Sequence, residues 1–85
     1  MHIELRFFAS VREALGLASE RIELPAGVKT VGDVREHLIA RGGAWETALG
    51  QERALRMAFN HVMCGPEMEV KEGGEVAFFP PVTGG

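Results

Sequence analysis

The chain has 85 residues, room for one domain and no second core. Hydrophobic residues are 46% and charged residues 25%, a globular balance that argues against disorder. The net charge of −3 comes with no basic stripe, which argues against nucleic-acid binding, and no apolar run approaches the ~20 residues of a membrane span.

Residues 2–8, HIELRFF, alternate: Ile3, Leu5 and Phe7 share one face, and Phe8 falls on the polar parity. The following SVREALG reads as a helix of two turns at most. Ser10 and Glu13 have capping-box spacing, and Gly16 ends the helix. Residues 19–24 alternate again, with Ile22 and Leu24 inward, and Pro25 stops that strand. Thr30 opens the main helix with Asp33 at its third position. Val31, Val34 and Leu38 make its core stripe, Arg41 suits its C-terminal dipole, and Gly42-Gly43 end it. Residues 44–50 predict a short helical turn against the domain's edge. Residues 55–59 and 62–64 predict two strands joined by a two-residue turn, Asn60-His61. Glu72-Gly73-Gly74 makes another turn, and 75–79, EVAFF, the last strand. An antiparallel strand pair, a crossing helix and a late strand returning beside the first suit the β-grasp plan. The expectation is an α+β fold with a mixed sheet, one main crossing helix and short extra helices.

Residues that could carry chemistry are few. His2, His37, His61 and Cys64 show no metal-ligand spacing. Strand parity turns Cys64 inward with Val62, as a small buried hydrophobe. As the single cysteine it allows no internal disulfide, which fits a reducing, cytoplasmic setting, and the first residues do not read as a secretory leader. The net charge resides wholly in residues 65–85, where Glu67, Glu69, Glu72 and Glu75 face Lys71 alone. These glutamates suit a solvated hairpin or, alternatively, complementarity to a basic partner near the C-terminus.

The last residues differ in kind. Pro80-Pro81 cannot donate to a ladder, so pairing ends at Phe79. Two fixed φ angles then launch an extended path, and six residues from Pro80 reach about 20 Å. Residues 1–79 are therefore expected to form the domain and 80–85 an extended tail. Gly84-Gly85, without side chains, suits a narrow channel in another protein, where the terminal carboxylate is the reactive group. A carboxylate is a poor electrophile and needs activation, as in an acyl-adenylate. On the sheet, Phe59 and Val62 are expected to face each other across the turn, which sends Met63 to the opposite side. Phe8, Met63 and Phe79 would then form an apolar patch on the nominally solvent face, a candidate docking surface at the tail's root.

The segments IELRFFASVREALG and GGEVAFFPPVTGG resemble the molybdopterin synthase small-subunit family, also called molybdopterin-converting factor subunit 1, and the likeness spans the chain. It implies a ubiquitin-like β-grasp. It also implies that an activating enzyme uses ATP and Mg²⁺ to adenylate Gly85, that a sulfur donor converts it to a thiocarboxylate, and that no cofactor is held by this chain. The partner would be the synthase large subunit, in a heterotetramer, where the sulfur attacks cyclic pyranopterin monophosphate to build the dithiolene. By the same resemblance Gly85 bears the sulfur, and Pro80, Pro81, Val82, Thr83 and Gly84 line the path into the partner. Phe8, Met63 and Phe79 match the family's apolar contacts. The chain is then a sulfur donor whose catalytic groups lie mainly on other subunits. Alternatives are a carrier for thiamine synthesis or tRNA thiolation, a ubiquitin-like protein modifier, or an interaction domain with an inert tail.

Overall fold

The computed structural model describes residues 1–81. The chain runs β1 (His2–Phe7), α1 (Ala9–Leu15), β2 (Ser19–Glu23), α2 (Val31–Ile39), α3 (Ala44–Leu49), β3 (Arg56–Phe59), β4 (Val62–Cys64) and β5 (Glu75–Phe79). The sheet order is β2-β1-β5-β3-β4, with β5 parallel to β1 and every other neighbour antiparallel. Two hairpins meet through the parallel pair at the centre, and α2 crosses one face. This is the ubiquitin-like β-grasp.

Alternation decides which face is covered. Ile3, Leu5 and Phe7 of β1, Met57 and Phe59 of β3, and Val76 and Phe78 of β5 point into one cluster. Val11 of α1, Val31, Val34 and Leu38 of α2, and Ala48 and Leu49 of α3 close over it. The Phe7 ring meets Trp45 edge-on and Phe78 in parallel. All three helices therefore occupy the same side, and the opposite face of the sheet is left to strand side chains.

Local signals explain the ends. Thr30 Oγ1 accepts from the Asp33 N–H at 3.1 Å while the Asp33 carboxylate accepts from the Thr30 N–H at 3.2 Å, so the expected box forms. The Lys29 N–H adds a third bond to Asp33 at 3.1 Å. Backbone donors hold the Asp33 carboxyl below its ordinary range. At the first helix the expectation fails. Phe8 is the N-cap, no side chain caps it, and Ser10 lies inside the helix. The helix follows β1 closely and begins at Ala9, two residues too early for Ser10 to serve. Gly16 ends it in the left-handed region at φ 75°, where a Cβ would strain.

Two further readings are refined. Arg41 lies past the end of α2 and is held by Glu20 through bonds of 2.9 and 2.8 Å, its guanidinium 4.4 Å from the Trp45 ring centroid. The ion pair and the cation–π contact fix its side chain, beside the end of α2. The 44–50 segment forms the expected short helical element, α3, but it packs deeper than the domain's edge, because Leu49 is fully buried in the core. Arg35 ties α3 there: its Nε donates to the Leu49 carbonyl at 2.7 Å, and one terminal nitrogen donates to Gly50 at 2.8 Å and Arg53 at 3.0 Å. These are carbonyls at and beyond the end of α3, and among the described residues no buried side-chain nitrogen or oxygen lacks a partner. Burial pulls its pKa down from the usual arginine value, without making it neutral near pH 7.

Candidate functional site

The uncovered face has a simple grammar set by register. One row reads Arg6, Ala77, Ala58, Met63 across β1, β5, β3 and β4. The next sets Phe79 opposite Arg56, with Phe8 just beyond β1. Ala58 and Ala77 are buried although they face away from the helices, because larger neighbours on adjacent strands cover them. They make a shallow floor between Met63 on one side and the Phe8–Phe79 pair on the other.

Phe8 is 41% exposed and Met63 56%. Phe79 is half-buried, its ring edge-on to Phe8 with centroids 6.3 Å apart. The Arg6 guanidinium lies 5.6 Å from the Phe8 ring centroid, so its stem also covers aromatic surface. Parity thus places all three candidates on one face as expected. Val62 corrects the same argument. It pairs with Phe59 and shares its parity, yet it is 63% exposed, because β4 is the sheet's edge and the helices do not reach over it. Cys64 does pack against the core, and burial with Glu67 nearby pushes its thiol pKa up, away from a reactive thiolate.

Pro80 and Pro81 follow Phe79 outside any ladder, both half-buried. The Phe8 N–H donates to the Phe78 carbonyl at 3.3 Å, so the start of α1 sits against the end of β5. The tail therefore leaves the sheet beside Phe8 and Phe79. Val82, Thr83, Gly84 and Gly85, the remaining candidates, lie outside the described residues.

Of the two readings of the glutamates, the solvated one fits better, since Glu67, Glu69 and Glu72 are exposed. Glu72 lies at the start of β1, its Oε1 accepting from the His2 N–H at 3.0 Å. Glu69 bridges to Thr30 at the start of α2. Glu75 opens β5, with Arg6 at 3.8 Å and His61 at 3.6 Å. Since β5 runs from Glu75 to Phe79, these carboxylates begin about 13 Å from the strand end where the tail leaves. Glu67 lies past edge strand β4, near Cys64. A basic partner at the tail is not what this arrangement favours. The residues that reading the sequence missed are Ala58, Ala77, Arg6 and Arg56. Their signal was available only once β3 and β5 were known to be neighbours.

Among the described residues no group of His, Cys, Asp or Glu could hold a metal ion, and no helix is long and apolar enough to cross a membrane. An open groove of about 390 Å³ lies between α1, α3 and Leu55, with Ser10, Glu13 and Arg53 at its rim. What distinguishes the surface is the apolar patch and the tail, rather than a pocket with converging polar groups.

Residues 5–85 match the ThiS family. The chain belongs to the ThiS family. The molybdopterin synthase sulfur carrier subunit of Haemophilus influenzae is 42% identical over 83 residues, covering 98% of this chain and 99% of that protein. The protein of the same name from Escherichia coli K12 is 40% identical over 83 residues, with the same coverage. Two crystal structures of a Haloferax volcanii protein, called SAMP1 and small archaeal modifier protein 1, superpose with TM-scores of 0.79 and 0.74. They are 28% and 26% identical and cover 100% and 95% of this chain and 100% and 98% of theirs. Both of these curated relatives, at 42% and 40% identity, are carriers named for molybdopterin synthase.

Proposed function

We propose that this protein is the sulfur carrier of molybdenum cofactor biosynthesis, acting through Gly85. The observation that carries the proposal is the near full-length likeness to two named carrier subunits, at 42% and 40% identity. The exit of the chain beside an exposed aromatic pair supports it. In this reading residues 1–79 are the docking body and 80–85 the tail that enters a partner. The Gly85 carboxylate attacks the α-phosphorus of ATP on an activating enzyme, giving an acyl-adenylate and pyrophosphate. A sulfur nucleophile at the oxidation level of sulfide then adds to the acyl carbon and expels AMP, leaving a thiocarboxylate. ATP and Mg²⁺ belong to the activating enzyme, and this chain holds no cofactor. The tail delivers the thiocarboxylate into the synthase large subunit, in a heterotetramer, where its sulfur attacks cyclic pyranopterin monophosphate. Tethering raises its local concentration at one site.

The division of labour follows from magnitudes. Covering Phe8, Met63 and the rest of Phe79 is worth about 1 kcal/mol each, since complete burial of such a side chain gives about 1.5–3. Association costs roughly 4–15 kcal/mol, so the patch alone holds no stable complex. Pro80, Pro81, Val82, Thr83 and Gly84 must contribute contacts in the channel.

Deleting Gly84-Gly85 tests the reading. The truncated chain is expected to fold and to bind the large subunit, yet to support no conversion of precursor with activating enzyme, ATP and a sulfur source. Full conversion by the truncation would sink the proposal. A second reading, protein modification, is favoured by the likeness to the H. volcanii modifier. Peptide mass spectrometry finding Gly85 in isopeptide linkage to lysines of other proteins would support that role.

A further inference from the structure

Charge is segregated along β5. Its start gathers carboxylates that are already engaged, Glu75 by Arg6 and His61, and Glu72 by His2. Its end holds a cation, Arg56, that is not so engaged among the described residues. Arg56 sits opposite Phe79 in register and is exposed. Other outer-face arginines are matched, Arg6 by Glu75 and Arg21 by Glu4. Among the described residues no carboxylate lies within ion-pair distance of Arg56.

This placement matters if the face is covered, and here the argument rests on the docking role proposed above. A partner seated on Phe79 must exclude water from the next position on the same face, which is Arg56. A guanidinium desolvated without a counter-charge opposes binding, whereas a carboxylate can take it bidentately. We propose that the partner covering this face presents a carboxylate to Arg56 at the edge of the apolar contact. The complementary surface is therefore apolar over Ala58, Ala77, Met63, Phe8 and Phe79, and acidic beside the tail root. Arg56 selects the partner by charge, while the aromatic pair supplies contact area.

The test is binding of the full chain to the purified synthase large subunit across a range of salt concentrations. Three forms are compared: wild type, Arg56→Glu and Phe79→Ala, each first checked for an unchanged circular dichroism spectrum. Arg56→Glu is expected to weaken binding by about tenfold or more at low salt and to flatten its salt dependence, with Arg56→Lys recovering only part. Phe79→Ala is expected to weaken binding while keeping the wild-type salt dependence. Wild-type affinity and salt dependence in Arg56→Glu, with loss in Phe79→Ala, would overturn the assignment of Arg56 and leave the docking face standing. No effect from either substitution, or no binding by wild type, would overturn both.

Discussion

The guanidinium of Arg35 gives up water for the carbonyls of Leu49, Gly50 and Arg53. Hydrogen bonds to a charged group are individually strong, and their loss leaves buried acceptors unmet. Arg35→Met, which keeps the stem, is expected to lower unfolding free energy by about 3 kcal/mol in urea denaturation. Helical periodicity concealed this role. Arg35 lies four residues after Val31 and three before Leu38, inside the core stripe, but reading the stripe by its apolar members alone passes over it. Asp33 was legible, because Thr30 and Asp33 are close in sequence and their bonds are local. Its folded pKa is depressed, so its contribution is present above the ordinary carboxylate range and is lost as pH falls through the folded value. Asp33→Ala is expected to reduce stability at neutral pH and to flatten part of the acid-side decline, read from urea midpoints between neutral pH and about pH 2.

At the scale of elements, the β3–β4 hairpin shows how far alternation and turn chemistry reach. Asn60 and His61 both adopt positive φ, 50° and 69°, as a two-residue turn of this hand requires. The Asn60 side chain does more than tolerate the turn: its Oδ1 accepts from the Glu75 N–H at 2.9 Å, tying the hairpin to β5. His61 has no such role. It is highly exposed, and its contact with Glu75 is a surface pair of small worth. His61→Gly is therefore expected to raise stability by about 1 kcal/mol, seen as a higher urea midpoint at unchanged slope. The turn could be read from two residues because its geometry is local. Val62 could not, because parity gives a side chain's direction and not whether anything lies there to cover it. Ser10 failed for a related reason: capping-box spacing is present, but α1 follows β1 closely and begins at Ala9.

For the molecule as a whole, the element order and the inward stripes were legible and suited the β-grasp plan, while the topology itself came from the family resemblance rather than from periodicity. The distribution of charge was not legible. Glu69, Glu72 and Glu75 are near the C-terminus in sequence but lie at the strand end away from the tail, because β5 reverses their distance in space. Arg56, far from the tail in sequence, becomes its neighbour through the pairing with Phe79. The apolar candidates Phe8, Met63 and Phe79 could be found because parity and size suffice to mark a large side chain on a solvent face. The alanine floor between them emerges only from the register. The central claim concerns one carboxylate, and the most direct measurement is the intact mass of the full chain after incubation with activating enzyme, ATP, Mg²⁺ and sulfide. The account predicts a gain of about 16 Da, one oxygen replaced by sulfur, in the full chain and none in the chain lacking Gly84-Gly85. An unchanged mass in the full chain, or the same gain in the truncated one, would contradict it.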